Sequence, residues 1–62
     1  MDIGKKIKEL RVAKGLTQEE LAAKAGMTQA ALSQIESGEH KTRKTTREKL
    51  ARAMGITISM LE

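Results

Sequence analysis

Two apolar runs separated by one glycine constrain this chain more than any other feature. Leu21, Ala22 and Ala25 recur at the spacing of one helical face, and further on Leu32 and Ile35 do the same. Gly26 lies between them, where a first helix has to stop and the chain has to turn. Lacking a Cβ, glycine takes up the left-handed backbone without steric cost, which suits the residue just past a helix. Ala22 is small where a second helix crosses close to the first. The spacing therefore predicts two short helices joined by a tight turn over residues 18–36.

The helix starts carry their own signatures. Thr17 stands three residues before Glu20, so its hydroxyl can accept from the amide of Glu20 while the carboxylate reaches back to the amide of Thr17. Leu16 and Leu21 are spaced as a hydrophobic staple around that capping box. Thr28 is the expected cap of the next helix, with Met27 and Leu32 as staple partners and Gly38 just past the last turn. A first helix is expected from about Ile3 to Lys14, with Ile3, Ile7 and Leu10 on one face, Asp2 as its cap and Gly15 ending it in the left-handed position. The apolar-free stretch from Glu39 to Lys44 is a loop. Thr45-Thr46-Arg47-Glu48 reads as a second capping box, opening a fourth helix through Met54 that Gly55 ends. Ile56, Thr57 and Leu61 repeat the staple pattern for a fifth, single-turn helix, and of the apolar residues near it Ile58 and Met60 are expected to stay exposed.

At 62 residues, with no Phe, Tyr, Trp, Pro or Cys, the chain is expected to form one small domain over residues 1–62. Its core must come from Leu, Ile, Val, Met and Ala. A domain this small buries only about 60% of its unfolded surface, so several short helices must support one another. Disulfides and zinc-thiolate staples are excluded, as suits a reduced, cytoplasmic setting. No apolar stretch is long enough to span a bilayer, and nothing resembles a signal peptide, so no membrane role is expected.

Net charge is +4, and its distribution says more than its sum. Residues 1–14 carry five Lys or Arg against two acids, and residues 40–62 carry six against two. Between them, residues 15–39 hold Lys24 against four glutamates. The basic flanks surround an acidic-to-neutral centre. Such a layout suits phosphate contacts from the flanks and uncharged polar contacts to bases from the centre, although a lysine-rich helix face is also an ordinary solvated surface.

These features together carry a resemblance. Ile3-Gly4-Lys5-Lys6-Ile7-Lys8-Glu9-Leu10-Arg11, Gly15-Leu16-Thr17-Gln18-Glu19-Glu20-Leu21-Ala22, Thr28-Gln29, Ile35-Glu36-Ser37-Gly38 and Leu50-Ala51-Arg52-Ala53-Met54-Gly55-Ile56 stand in the register of one family. The chain resembles the helix-turn-helix domains of lambdoid phage repressors and Cro proteins, the XRE-type regulators. The resemblance covers nearly all of the sequence. It implies an all-α, lambda-repressor-like bundle of five short helices whose third helix enters the major groove of DNA.

It also implies roles for single residues. Gln29, at the start of the third helix, matches a base reader; its amide can pair with adenine N6 and N7. Gln34 matches a second base-contacting position, and Ala30 and Ser33 lie between the two, suited to a thymine methyl and to either kind of partner. Gln18 matches a phosphate contact at a helix start, where free amides and the helix dipole favour an anion. Thr28, Ser37, Lys41, Arg43 and Lys44 complete the expected phosphate contacts. Arg11 and Glu36 match a structural ion pair bridging the first and third helices. The chain departs from its relatives in the loop: Thr42, Lys44 and Arg47 replace a proline and apolar residues. A more mobile, more positive loop and a late start to the fourth helix are expected from that.

Catalysis finds no support. His40 is the lone histidine, in a basic loop, without a Cys or nearby Asp partner, and no metal-ligand spacing or phosphate loop exists. No cofactor or metal is expected. The expected function is sequence-specific binding of double-stranded DNA by a transcriptional regulator, a repressor acting on a palindromic operator as a weak or DNA-induced homodimer. The alternative is a protein-interaction module, an antitoxin or bridging coactivator on the same fold. The polar, short third-helix face favours DNA, because a protein-binding face would expose large apolar anchors.

Overall fold

A computed structural model describes residues 3–39 and 41–61; the proposed cap Asp2 and the loop residue His40 lie outside them. Four α-helices follow one another: α1 (Ile3–Ala13), α2 (Gln18–Ala25), α3 (Gln29–Glu36) and α4 (Lys44–Met54). A single 3-10 turn, Ile58–Leu61, stands where the fifth helix was expected.

Local chemistry sets the limits of α2 and α3. Thr17 Oγ1 accepts from the Glu20 amide at 3.0 Å, and the Thr17 amide donates to Glu20 Oε1 at 3.0 Å, closing the capping box. Thr28 Oγ1 accepts from the Ala31 amide at 3.1 Å. Gly26 closes α2 at φ 71°, its amide turned back onto the last carbonyls of the helix.

One residue from each element is fully enclosed: Ile7, Leu21, Leu32, Leu50 and Leu61. Ala22, Ala25 and Ala51 fill the narrow gaps between them, and Met54 and Ile35 complete the core. α2 packs on both α3 and α4, while α1 packs on α3, α4 and the 3-10 turn. Truncating any of the enclosed leucines to alanine would cost about 2–5 kcal/mol, a large part of what so small a fold has.

Two expectations are corrected. α4 does not start late behind a Thr45 capping box. It starts at Lys44, with Arg43 at the cap position and no side-chain cap bond. The Arg43 carbonyl accepts the first helical bond from the Arg47 amide at 2.9 Å. Arg47 Nη1 also donates to the Thr42 carbonyl, which ties the incoming chain to the first turn. Thr45 is thereby the second helical residue and cannot serve as a cap. The second correction concerns Ile58, expected to stay exposed with Met60. In a 3-10 turn, residues three apart eclipse one another, so Ile58 follows Leu61 toward the core and is half-buried. Met60 is 44% exposed, and Val12, on α1, is 60% exposed.

Candidate nucleic-acid interface

Burying Leu32 and Ile35 leaves the opposite face of α3 outside. Gln29, Ala30, Ser33, Gln34 and Ser37 are all exposed. All five side chains are short or neutral, so the face presents amides, hydroxyls and a methyl without a fixed charge. Gln29 is the first residue of α3 and Gln34 lies past its middle, so the two amides are spread along the helix and can meet different base pairs.

The loop after α3 folds back beside this face. Gln34 and Ala31 share a shallow groove with Lys41 and Arg43, and Met27 and Ile35 form part of its wall. Two cations thus stand next to the polar face of α3. Lys44, at the first position of α4, is exposed but does not line that groove. The tie from Arg47 to the Thr42 carbonyl holds the loop from behind. Arg47 Nε is buried without a hydrogen-bond partner among the described residues.

The hydroxyls differ in what they leave free. Thr28 Oγ1 accepts from a backbone amide, which leaves its proton available to an outside acceptor. Ser37 Oγ donates to the Gln34 carbonyl at 3.0 Å, so its proton is already committed and only its lone pairs face outward.

Behind α3 lies a polar cluster joining three helices. Arg11 Nε donates to Glu36 Oε2 at 2.8 Å and Nη2 to Oε1 at 3.2 Å. Arg11 Nη1 donates to the Leu16 carbonyl at 2.7 Å. The two side chains are 11% and 3% exposed, so the pair sits inside the fold and its charges cancel there. Gln18, half-buried at the start of α2, donates from Nε2 to Glu36 Oε1 at 3.0 Å. Sequence spacing gave no hint of this last bond, because its partners lie on different helices.

Glu20, also in the first turn of α2, has its carboxyl held below the ordinary range. The Thr17 amide bonded to it is the main cause, followed by the Thr17 hydroxyl and the Lys24 charge. That carboxylate is folded back on the cap.

Among the described residues, no group of three His, Cys, Asp or Glu side chains is arranged to hold a metal ion. No helix among the described residues is long and apolar enough to cross a membrane.

Residues 7–61 match the family model described as Helix-turn-helix. The chain is 40% identical over 55 residues to an uncharacterized HTH-type transcriptional regulator, y4dJ, of Sinorhizobium fredii, covering 89% of this chain and 71% of that protein. It is 36% identical over 61 residues to the immunity repressor protein of Bacillus phage phi105; that match covers 98% of this chain but 42% of the repressor. Among solved structures, the restriction-modification controller protein C.AhdI of Aeromonas hydrophila superposes with a TM-score of 0.95 at 34% identity, covering 98% of this chain and 92% of that one. The clp gene regulator ClgR of C. glutamicum shares the fold, with a TM-score of 0.93 at 23% identity over 97% of this chain and 78% of its own. The chain belongs to the Helix-turn-helix family and is a DNA-binding transcriptional regulator.

Proposed function

We propose that the protein is a repressor that reads a specific site in double-stranded DNA by laying α3 in the major groove. Gln29, Ala30, Ser33 and Gln34 meet base edges. Gln18, Thr28, Lys41, Arg43 and Lys44 meet backbone phosphates, as does Ser37 once its hydroxyl turns from the Gln34 carbonyl, and these contacts fix orientation without carrying sequence information. The observation that supports this most is the uncharged polar face of α3 flanked by Lys41 and Arg43. Phosphates attract the flanks, and the neutral face is left to discriminate bases. The 36% identity to a phage immunity repressor favours repression over activation.

On this reading the chain binds and performs no chemistry, and it works in the cytoplasm, where DNA is accessible. One domain contacts only a few base pairs, so two copies would pair on a palindrome with half-sites about 34 Å apart. Selection from random duplex DNA, followed by affinity measurements across salt concentrations, tests the reading. A recovered consensus and a steep fall in affinity with salt are expected. Recovery of no consensus would overturn it.

A further inference from the structure

Gln18 occupies the first position of α2, the end of a helix whose backbone N–H groups lack intrahelical partners. Its side chain is not free to choose an orientation. A carboxylate can only accept, so the Glu36 oxygen 3.0 Å away forces the nitrogen of the Gln18 amide inward and not its oxygen. One of the two N–H bonds on Nε2 is consumed. Because the amide is planar, the remaining N–H and the carbonyl oxygen are held in set directions.

Glu36 is itself immobile. Arg11 bonds both of its oxygens, Arg11 is in turn tied to the Leu16 carbonyl, and the Glu36 side chain is 3% exposed. The chain of restraint runs from α1 through Glu36 at the end of α3 to Gln18 at the start of α2.

We infer that Glu36 is a positioning residue for DNA binding, holding the Gln18 amide so that its second N–H meets a backbone phosphate. This rests on the reading of Gln18 as a phosphate contact. A free surface glutamine would have to be ordered as DNA arrives, and that ordering opposes binding. Here the order is present beforehand. A neutral amide displaces no counterion, so this contact adds affinity without steepening the salt dependence, unlike one from lysine or arginine.

The test uses the full chain and its selected duplex, with uncharged methylphosphonates placed singly along both strands. The phosphate that matters to the wild type but not to Gln18→Met marks the contact. Neutralising it should weaken the wild type by about three- to tenfold, the range of one hydrogen bond. Glu36→Met, which offers Gln18 no oxygen acceptor, should lose a similar factor on the unmodified duplex, show no further loss at that phosphate, and keep the wild-type salt slope. Removing one partner of a buried pair can unfold a small domain. A second variant, Arg11→Met combined with Glu36→Met, therefore removes the carboxylate without leaving an unpaired charge, and should also be indifferent to that phosphate. If either folded variant kept the full wild-type penalty there, Glu36 would be a fold residue only and the inference would fall. Equal penalties for wild type and Gln18→Met at every phosphate would overturn it differently, by removing the Gln18 contact itself.

Discussion

Gly4 of α1 lies against the carbonyl of Ile35 in the last turn of α3. A Cβ built on Gly4 would stand 2.1 Å from that oxygen and 3.2 Å from the Glu36 carbonyl oxygen. Both neighbours are backbone and cannot rotate away. Alanine is the better helix former by about 1 kcal/mol, yet Gly4→Ala should lower stability by about 1–3 kcal/mol through overpacking. Urea denaturation of the two proteins decides it. A midpoint equal to or above wild type would contradict so close an approach of α1 to α3.

The capping box makes a prediction about pH. The folded-state pKa of Glu20 is depressed, first by the Thr17 amide and then by the Thr17 hydroxyl. The stabilisation tied to its ionised form is therefore present above the ordinary carboxylate pKa and is lost as pH falls through the lowered one. Thr17→Ala should cost about 1 kcal/mol. It should also raise the Glu20 pKa part of the way back, because the backbone donor remains. An NMR titration of the Glu20 carboxyl reads this directly; an unmoved titration in Thr17→Ala would show that the hydroxyl plays no part.

Gln29→Ala should weaken binding to the preferred site by about 1–3 kcal/mol and relax the preference at one base pair. Binding to random duplex should barely change. Equal losses on specific and random DNA would place Gln29 away from the bases.

Neutralising Lys41, Arg43 or Lys44 should weaken binding to every sequence alike. Each change should reduce the slope of log affinity against log salt by about one contact. Three unaltered slopes would make the loop a bystander, whatever happened to affinity at a single salt concentration.

Near the 3-10 turn, Met60, at 44%, is the only exposed large hydrophobic side chain among the described residues, since Ile58 is packed against the core. Little apolar area is left there for self-association. A monomer or weak dimer in free solution is expected, pairing cooperatively on a palindrome. Sedimentation of the free protein would show a tight dimer if the first part is wrong. Equal affinity for a half-site and a palindrome would refute the second.

What could be read from the sequence was local. The Thr17–Glu20 and Thr28–Ala31 caps depend on a three-residue spacing, and Gly26 on the single residue that tolerates a left-handed turn. The core leucines follow from helical periodicity. Thr45 and Glu48 have the same spacing as a capping box, yet the helix begins before them, because Arg47 anchors the Thr42 carbonyl five residues back. Periodicity has no term for that contact. The contact of Gly4 with Ile35 and the bond from Gln18 to Glu36 join separate helices, so they depend on how the helices cross. At the interface, the exposed face of α3 was legible because its apolar residues were. The side of the loop on which Lys41 and Arg43 stand was not, since no pattern of burial marks it.

The uncapped start of α4 has a kinetic consequence. In α2 and α3 a threonine holds the first turn closed, whereas at Arg43 no side chain does. The amide proton of Thr46 should therefore exchange with solvent sooner than those of Glu20 and Ala31, which the threonine hydroxyls hold. If DNA lies along this loop, the slowing of Thr46 exchange on binding would time the docking of the loop separately from that of α3.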